Sequence, residues 1–168
     1  MPIHGLLWAS KSQALALVSS ADAPMSPSWS QSSDGTPLSY LPVVALTLPS
    51  SLSFPLLQGW IYLASPSVLL DALLPKPTSR PSSPTSIPSL LNPTPLSLSS
   101  KLSELPSAII MEKIQLVHGL WQNVMALEIR DAELWKVMES AWEILVGALA
   151  LREKRRRIER AQDTLMGN

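Results

Sequence analysis

Hydrophobic positions fall into helical register most clearly in the second half of the 168-residue chain. From Pro106-Ser107 onward, Ile110, Ile114, Val117, Trp121 and Val124 form one stripe at spacings of three and four. Ile109, Leu116, Leu120 and Leu127 widen that stripe, so the predicted helix has a broad apolar face. A short turn at Glu128-Ile129-Arg130 follows, and Asp131 is the expected N-cap of a second long helix. In it Leu134, Met138, Ala141, Trp142, Leu145, Ala148 and Leu149 recur with a strong helical period. A short turn sets consecutive helices antiparallel, so residues 101–151 read as a helical hairpin. Gly119 and Gly147 each cost roughly 1 kcal/mol relative to Ala inside a helix, which predicts close approach of a neighbouring backbone. Folding the hairpin at its turn should set Gly119 opposite Ser140 and Ala141, and Gly147 near Glu112.

Weaker helical patterns lie upstream. Ser53-Phe54-Pro55 opens one, with Ser as cap and Pro tolerated in the first turn; Phe54, Leu57, Trp60 and Ile61 lie near one face. Ser65-Pro66 restarts another, carrying Val68, Leu69, Ala72 and Leu73, and Pro75 and Pro77 stop it. Leu41 to Leu48 is apolar and β-prone at Val43-Val44, but Pro42 weakens it as a central strand. It is expected to lie extended against the helices.

Composition limits how much of the chain can pack. There are 16 prolines, and residues 76–100 alone hold eight Ser, three Thr and six Pro. Such a segment buries too little apolar surface to offset the entropy of ordering. The expected organisation is a disordered N-terminal segment (1–40), a first helical part (41–75), a disordered Pro/Ser-rich insert (76–100), the hairpin (101–151) and a basic helical tail (152–168). The fold class is all-α: a small bundle of two short and two long helices. A core of that size is marginal by itself, and a partner would relieve the marginality. Ser26-Pro27, Thr36-Pro37, Ser83-Pro84 and Thr94-Pro95 are expected to be accessible to proline-directed kinases, although such dipeptides arise by chance in Pro/Ser-rich sequence.

The chain has no cysteine, which excludes disulfides, thiolate metal sites and Cys nucleophiles. The N-terminal apolar run is broken by His4, Ser10, Lys11, Ser12 and Gln13, unlike a secretory signal. The longest apolar run in the hairpin, Ile144 to Leu151, is too short for a membrane span. Net charge is zero yet unevenly spread. Residues 152–160 hold six basic and two acidic side chains, a local +4 that the remainder balances. Arg152, Lys154, Arg155, Arg156, Arg157 and Arg160 can be read as a solvated helix end favoured by the macrodipole, as a nuclear-import signal, or as a phosphate contact. Aromatics do not interleave with them, so any nucleic-acid hold would be weak and salt-sensitive.

Catalytic chemistry finds few residues. His4 and His118 are the only histidines, and no HExxH, Walker, GxSxG or Rossmann pattern is present. His118 reads as a hydrogen-bonded core or boundary residue. Glu139 and Glu143 lie one turn apart, but Lys136 should pair with Glu139 on an ordinary surface. No enzyme activity, cofactor or metal is expected. Six Trp against one Phe is unusual; Trp121, Trp135 and Trp142 cluster on the hairpin, where they serve either core or interface. They are the candidate docking residues for a protein partner.

The runs Val117-His118-Gly119-Leu120-Trp121-Gln122-Asn123-Val124-Met125-Ala126-Leu127 and Ala141-Trp142-Glu143-Ile144-Leu145-Val146-Gly147-Ala148-Leu149-Ala150-Leu151, with Asp131 and Leu134-Trp135 between them, resemble basidiomycete fungal proteins of the clampless type. Phe54-Pro55-Leu56-Leu57, Tyr62-Leu63 and Leu69-Leu70-Asp71-Ala72-Leu73-Leu74-Pro75 fit the same pattern. The resemblance implies a non-enzymatic regulator of sexual development, concerned with clamp-cell formation and dikaryon growth. It implies action in the nucleus, with the cytoplasm as alternative, through a protein partner such as a mating-type-linked transcription factor. The residues alone leave two other readings: a membrane-surface or structural module built on the fourth helix, or a truncated paralogue without function.

Overall fold

Proline marks the start of four successive helices. The structure, a computed structural model, describes residues 5–15, 28–31, 33–40, 46–76 and 94–166. Helices α2 (Phe54–Leu63), α3 (Pro66–Leu73) and α4 (Pro95–Leu102) each carry Pro in the first turn, and Pro106 precedes α5 (Ser107–Ala126). Pro lacks only an N–H that would have no intrahelical partner there, and its fixed φ suits the helix. The same residue that reads as disorder by composition therefore punctuates packed structure. Before these lie α1 (Gly5–Lys11) and a short antiparallel ribbon, β1 (Ser28–Gln31) paired with β2 (Pro37–Tyr40); after them comes α6 (Ala132–Met166). The class is all-α.

The hairpin forms as its period predicts. Ile110, Val117, Leu120 and Val124 of α5 and Leu134, Met138, Ala141, Leu145 and Ala148 of α6 are buried in one cluster with Leu57, Ile61, Leu69 and Leu73. Asp131 caps α6: its Oδ1 accepts from the backbone N–H of Glu133 at 3.1 Å and of Leu134 at 3.3 Å. Ser53 behaves differently from expectation. It makes no side-chain cap bond but is buried, accepting from Asn123 Nδ2 at 3.0 Å. Ser65 makes no cap bond either.

Two segments read as disordered contain packed helices. In the first, α1 buries Trp8 to 1% exposure against Phe54, with ring centroids 5.7 Å apart. Ser12 follows it into the core and donates from Oγ to Leu127 O at 2.6 Å. A buried indole, with half-buried Leu7 beside it, docks this short helix without a sustained period. In the second, α4 begins inside the expected insert and packs along α6, burying Ser99 and Leu102. Thr94 caps it, accepting from Ser97 N at 3.4 Å. The bundle thus holds α1 and α4 beyond the two short and two long helices expected. The first segment also holds the β1–β2 ribbon, a second departure from expected disorder. Residues 1–4, 16–27, 32 and 77–93 of the two segments, like residues 41–45 of the expected extended stretch, lie outside the described residues, while Leu48 packs against the core and Leu46 is exposed.

The two helical glycines do face close neighbours, but not those expected. A Cβ on Gly119 would sit 2.5 Å from Ser50 Oγ and 2.8 Å from Ser50 Cβ; one on Gly147 would sit 3.0 Å from Ser99 Oγ. Gly119 thus receives the loop before α2, and Gly147 receives α4. Both glycines turn away from the seam between α5 and α6. Beside Gly119, buried Asn123 knits that loop to α5. Its Oδ1 accepts from Ser50 N at 2.9 Å, and its Nδ2 donates to Ser50 O at 2.6 Å.

Candidate functional site

Successive residues of an α-helix are about 100° apart, so positions two apart face nearly opposite ways. On α5 the face bearing Gly119 and Asn123 is covered by the loop before α2, which leaves Trp121 turned outward. The antiparallel α6 brings Trp135 and Trp142 to the same side. Together with Val117, His118, Met138 and Glu139 they line an apolar groove of about 470 Å³. Trp121 is 46% exposed and Trp142 42%, while Trp135 is half-buried. Trp135 meets Trp121 edge-on at 6.4 Å between centroids, and His118 leans over Trp121 at 6.2 Å. The structure therefore brings all three candidate tryptophans into one site. His118 is an exposed rim residue rather than a core or boundary one. Val117, Met138 and Glu139 were not singled out as groove residues; their spacing to the tryptophans was the available signal.

The rim carries one carboxylate, Glu139, among apolar walls. The expected Lys136–Glu139 pair does not form. The ion pairs between described residues are Lys11–Asp131 and Arg157–Glu153, each 3.2 Å. Among the described residues no three His, Asp or Glu side chains come together as metal ligands, and no helix is long and apolar enough to cross a membrane.

The six candidate cations separate into two kinds. Arg152 Nη1 donates to Leu105 O at 2.6 Å and more weakly to Ser103 O at 3.4 Å, and Arg155 Nη2 reaches Ser103 Oγ at 3.4 Å. These two satisfy groups at the junction of α4 and α5 and fix the direction in which α6 leaves the bundle. Arg157 pairs with Glu153 one turn back, and Lys154, Arg156 and Arg160 stand in solvent. Ile158, 50% exposed, is the one large aliphatic on this projecting end up to residue 164.

At the other end of the hairpin Asp131 is a junction that the sequence marked only as a cap. Its Oδ2 accepts from Trp60 Nε1 and Lys11 Nζ, both at 3.2 Å. Burial alone would push its pKa up. The Leu134 N–H, the Trp60 indole and the Lys11 ammonium outweigh that and hold the carboxyl below the ordinary aspartate value.

Residues 67–166 match the family described as the Clampless protein 1 C-terminal domain. Clampless protein 1 from two strains of Cryptococcus neoformans var. neoformans is 31% identical over 111 residues, covering 66% of this chain. The chain spans about a fifth (21%) of the length of those curated relatives. No solved structure matches.

Proposed function

The chain belongs to the clampless protein family, and from that premise we propose that it is a non-enzymatic regulator of fungal sexual development, acting in clamp-cell formation and dikaryon growth through protein–protein docking. The observation that carries this reading is the groove. Half-exposed Trp121 and Trp142 are costly to leave in water, and aromatic side chains of this kind anchor interfaces. A groove between antiparallel helices suits an amphipathic helix as guest. Against the membrane-surface alternative stands the packing of α6, whose stripe of Leu134, Met138, Ala141, Leu145 and Ala148 is already buried.

The reading includes a nuclear site of action, with the solvated cations Lys154, Arg156, Arg157 and Arg160 as the import signal and a mating-type-linked transcription factor as the class of partner. Fusing residues 150–162 to a fluorescent reporter tests the signal; cytoplasmic fluorescence removes that role. The function is tested by deleting the coding sequence from the fungus that carries it, mating, and counting clamp connections at septa. Septa without clamps are expected. The wild-type chain should restore clamps, and a Trp121→Ala/Trp142→Ala chain should not. Normal clamps in the deletion strain reject the reading.

A further inference from the structure

We propose that the groove takes a second copy of this chain, which inserts the projecting end of its own α6; the inference rests on the groove being a docking surface. The open face of α6 has one unbroken period. Trp135, Glu139, Trp142 and Val146 follow one another at four, three and four residues. The same alternation runs on through Leu149 and Glu153 to Arg156 and Arg160. The face is straight along the helix, with four apolar and four charged positions. Its first half lies on the body, apolar except for Glu139, with Val146 exposed beyond Trp142. In its second half Leu149 still packs against the body, and beyond it Glu153, Arg156 and Arg160 are exposed.

A seam that is apolar and acidic at one end and basic at the other complements itself when two copies run antiparallel. The register that sets Glu139 beside Arg156 of the second copy also sets Trp135 beside Arg160 and Val146 beside Leu149 of that copy. Twofold symmetry makes each contact occur twice. Glu139, which has no ion-pair partner among the described residues, gains one, and Arg160 covers an indole face as a cation–π contact. Glu153 falls opposite Trp142 and keeps its own Arg157 as partner. The reach matches as well: Leu149 to Arg160 and Trp135 to Val146 are equal lengths of helix, each about 17 Å at the standard rise. Arg152, bonded to Leu105 O, holds the projecting end in line with the rest of α6.

Sedimentation equilibrium of the full chain, from about 1 to about 100 µM, tests the assignment. A mass twice the chain's 18.3 kDa is expected, falling toward the monomer as salt is raised. Arg156→Glu or Glu139→Arg alone should weaken association at least about tenfold, since each sets like charges face to face. Glu139→Arg and Arg156→Glu in the same chain should restore it. All these positions are exposed, and circular dichroism confirms that each variant is folded. A monomer at every concentration, or a dimer indifferent to the charge changes, overturns the proposal. The function itself is read separately: a monomer whose tryptophan variants still abolish clamps gives the groove to a different protein and leaves the regulatory reading standing.

Discussion

One face of α5 carries Gly119 and Asn123, the other His118 and Trp121, and the rest of the chain treats them differently. The first is closed by the loop before α2, with small side chains and a complete set of hydrogen bonds. The second, though rich in aromatic surface, is covered by nothing among the described residues beyond the neighbouring wall of α6. Stability should therefore be concentrated on the closed face and function on the open one.

The largest stability change should come from Asn123→Leu. It strands the N–H of Ser50 and leaves the Ser50 C=O and the Ser53 hydroxyl only their own 3.4 Å bond, a loss of about 3 kcal/mol measurable by urea unfolding. Gly119→Ala should follow at about 1–2 kcal/mol. Helix propensity favours Ala by about 1 kcal/mol, but the added methyl meets Ser50 Cβ close to its backbone, and the overlap wins. A stable Gly119→Ala protein would show that the loop is not held against α5.

Asp131→Asn comes next, at about 1 kcal/mol at neutral pH: Asn still caps the helix, but the charge-assisted bonds from Lys11 and the Trp60 indole are weakened. Here the sign of the pH dependence is definite. A carboxyl with a lowered folded pKa contributes fully above its unfolded value of about 3.9 and loses that contribution as pH falls through the folded value. The difference between wild type and variant should thus shrink in acid; unfolding curves at neutral pH and below about pH 4 check it. Trp142→Ala should have the smallest effect on stability, about 1 kcal/mol or less, because the ring is already half in water. It should nonetheless abolish rescue of clamp formation. Equal destabilisation by Trp142→Ala and Asn123→Leu would erase the distinction between the faces.

The hairpin and its cap were legible because a period of three and four survives any tertiary context and Asp131 acts through its own neighbours in sequence. The covering of that hairpin was not. Periodicity marks Trp121 and Val124 alike as apolar; only tertiary contact leaves one exposed and buries the other. Trp142 is similarly indistinguishable from Leu145. The glycines signalled close approach but could not say of what, and the natural guess was the other arm of the hairpin. Helix α4 was hidden because serine lowers hydrophobicity, yet Ser99 is what allows approach to Gly147, donating to Ile144 O at 2.9 Å while it does so. In α1 a single Trp replaced the repeated pattern that sequence reading depends on.

The contacts of α1 also set an order of assembly. Lys11 reaches an acceptor 120 residues later in the chain, and Ser12 one 115 residues later. During synthesis Lys11 and Ser12 emerge before these acceptors and must wait for them until the turn carrying Leu127 and Asp131 has been translated. Phe54, the ring partner of Trp8, is made well before that turn, so α1 can meet α2 early but gains its hydrogen bonds to the hairpin only late.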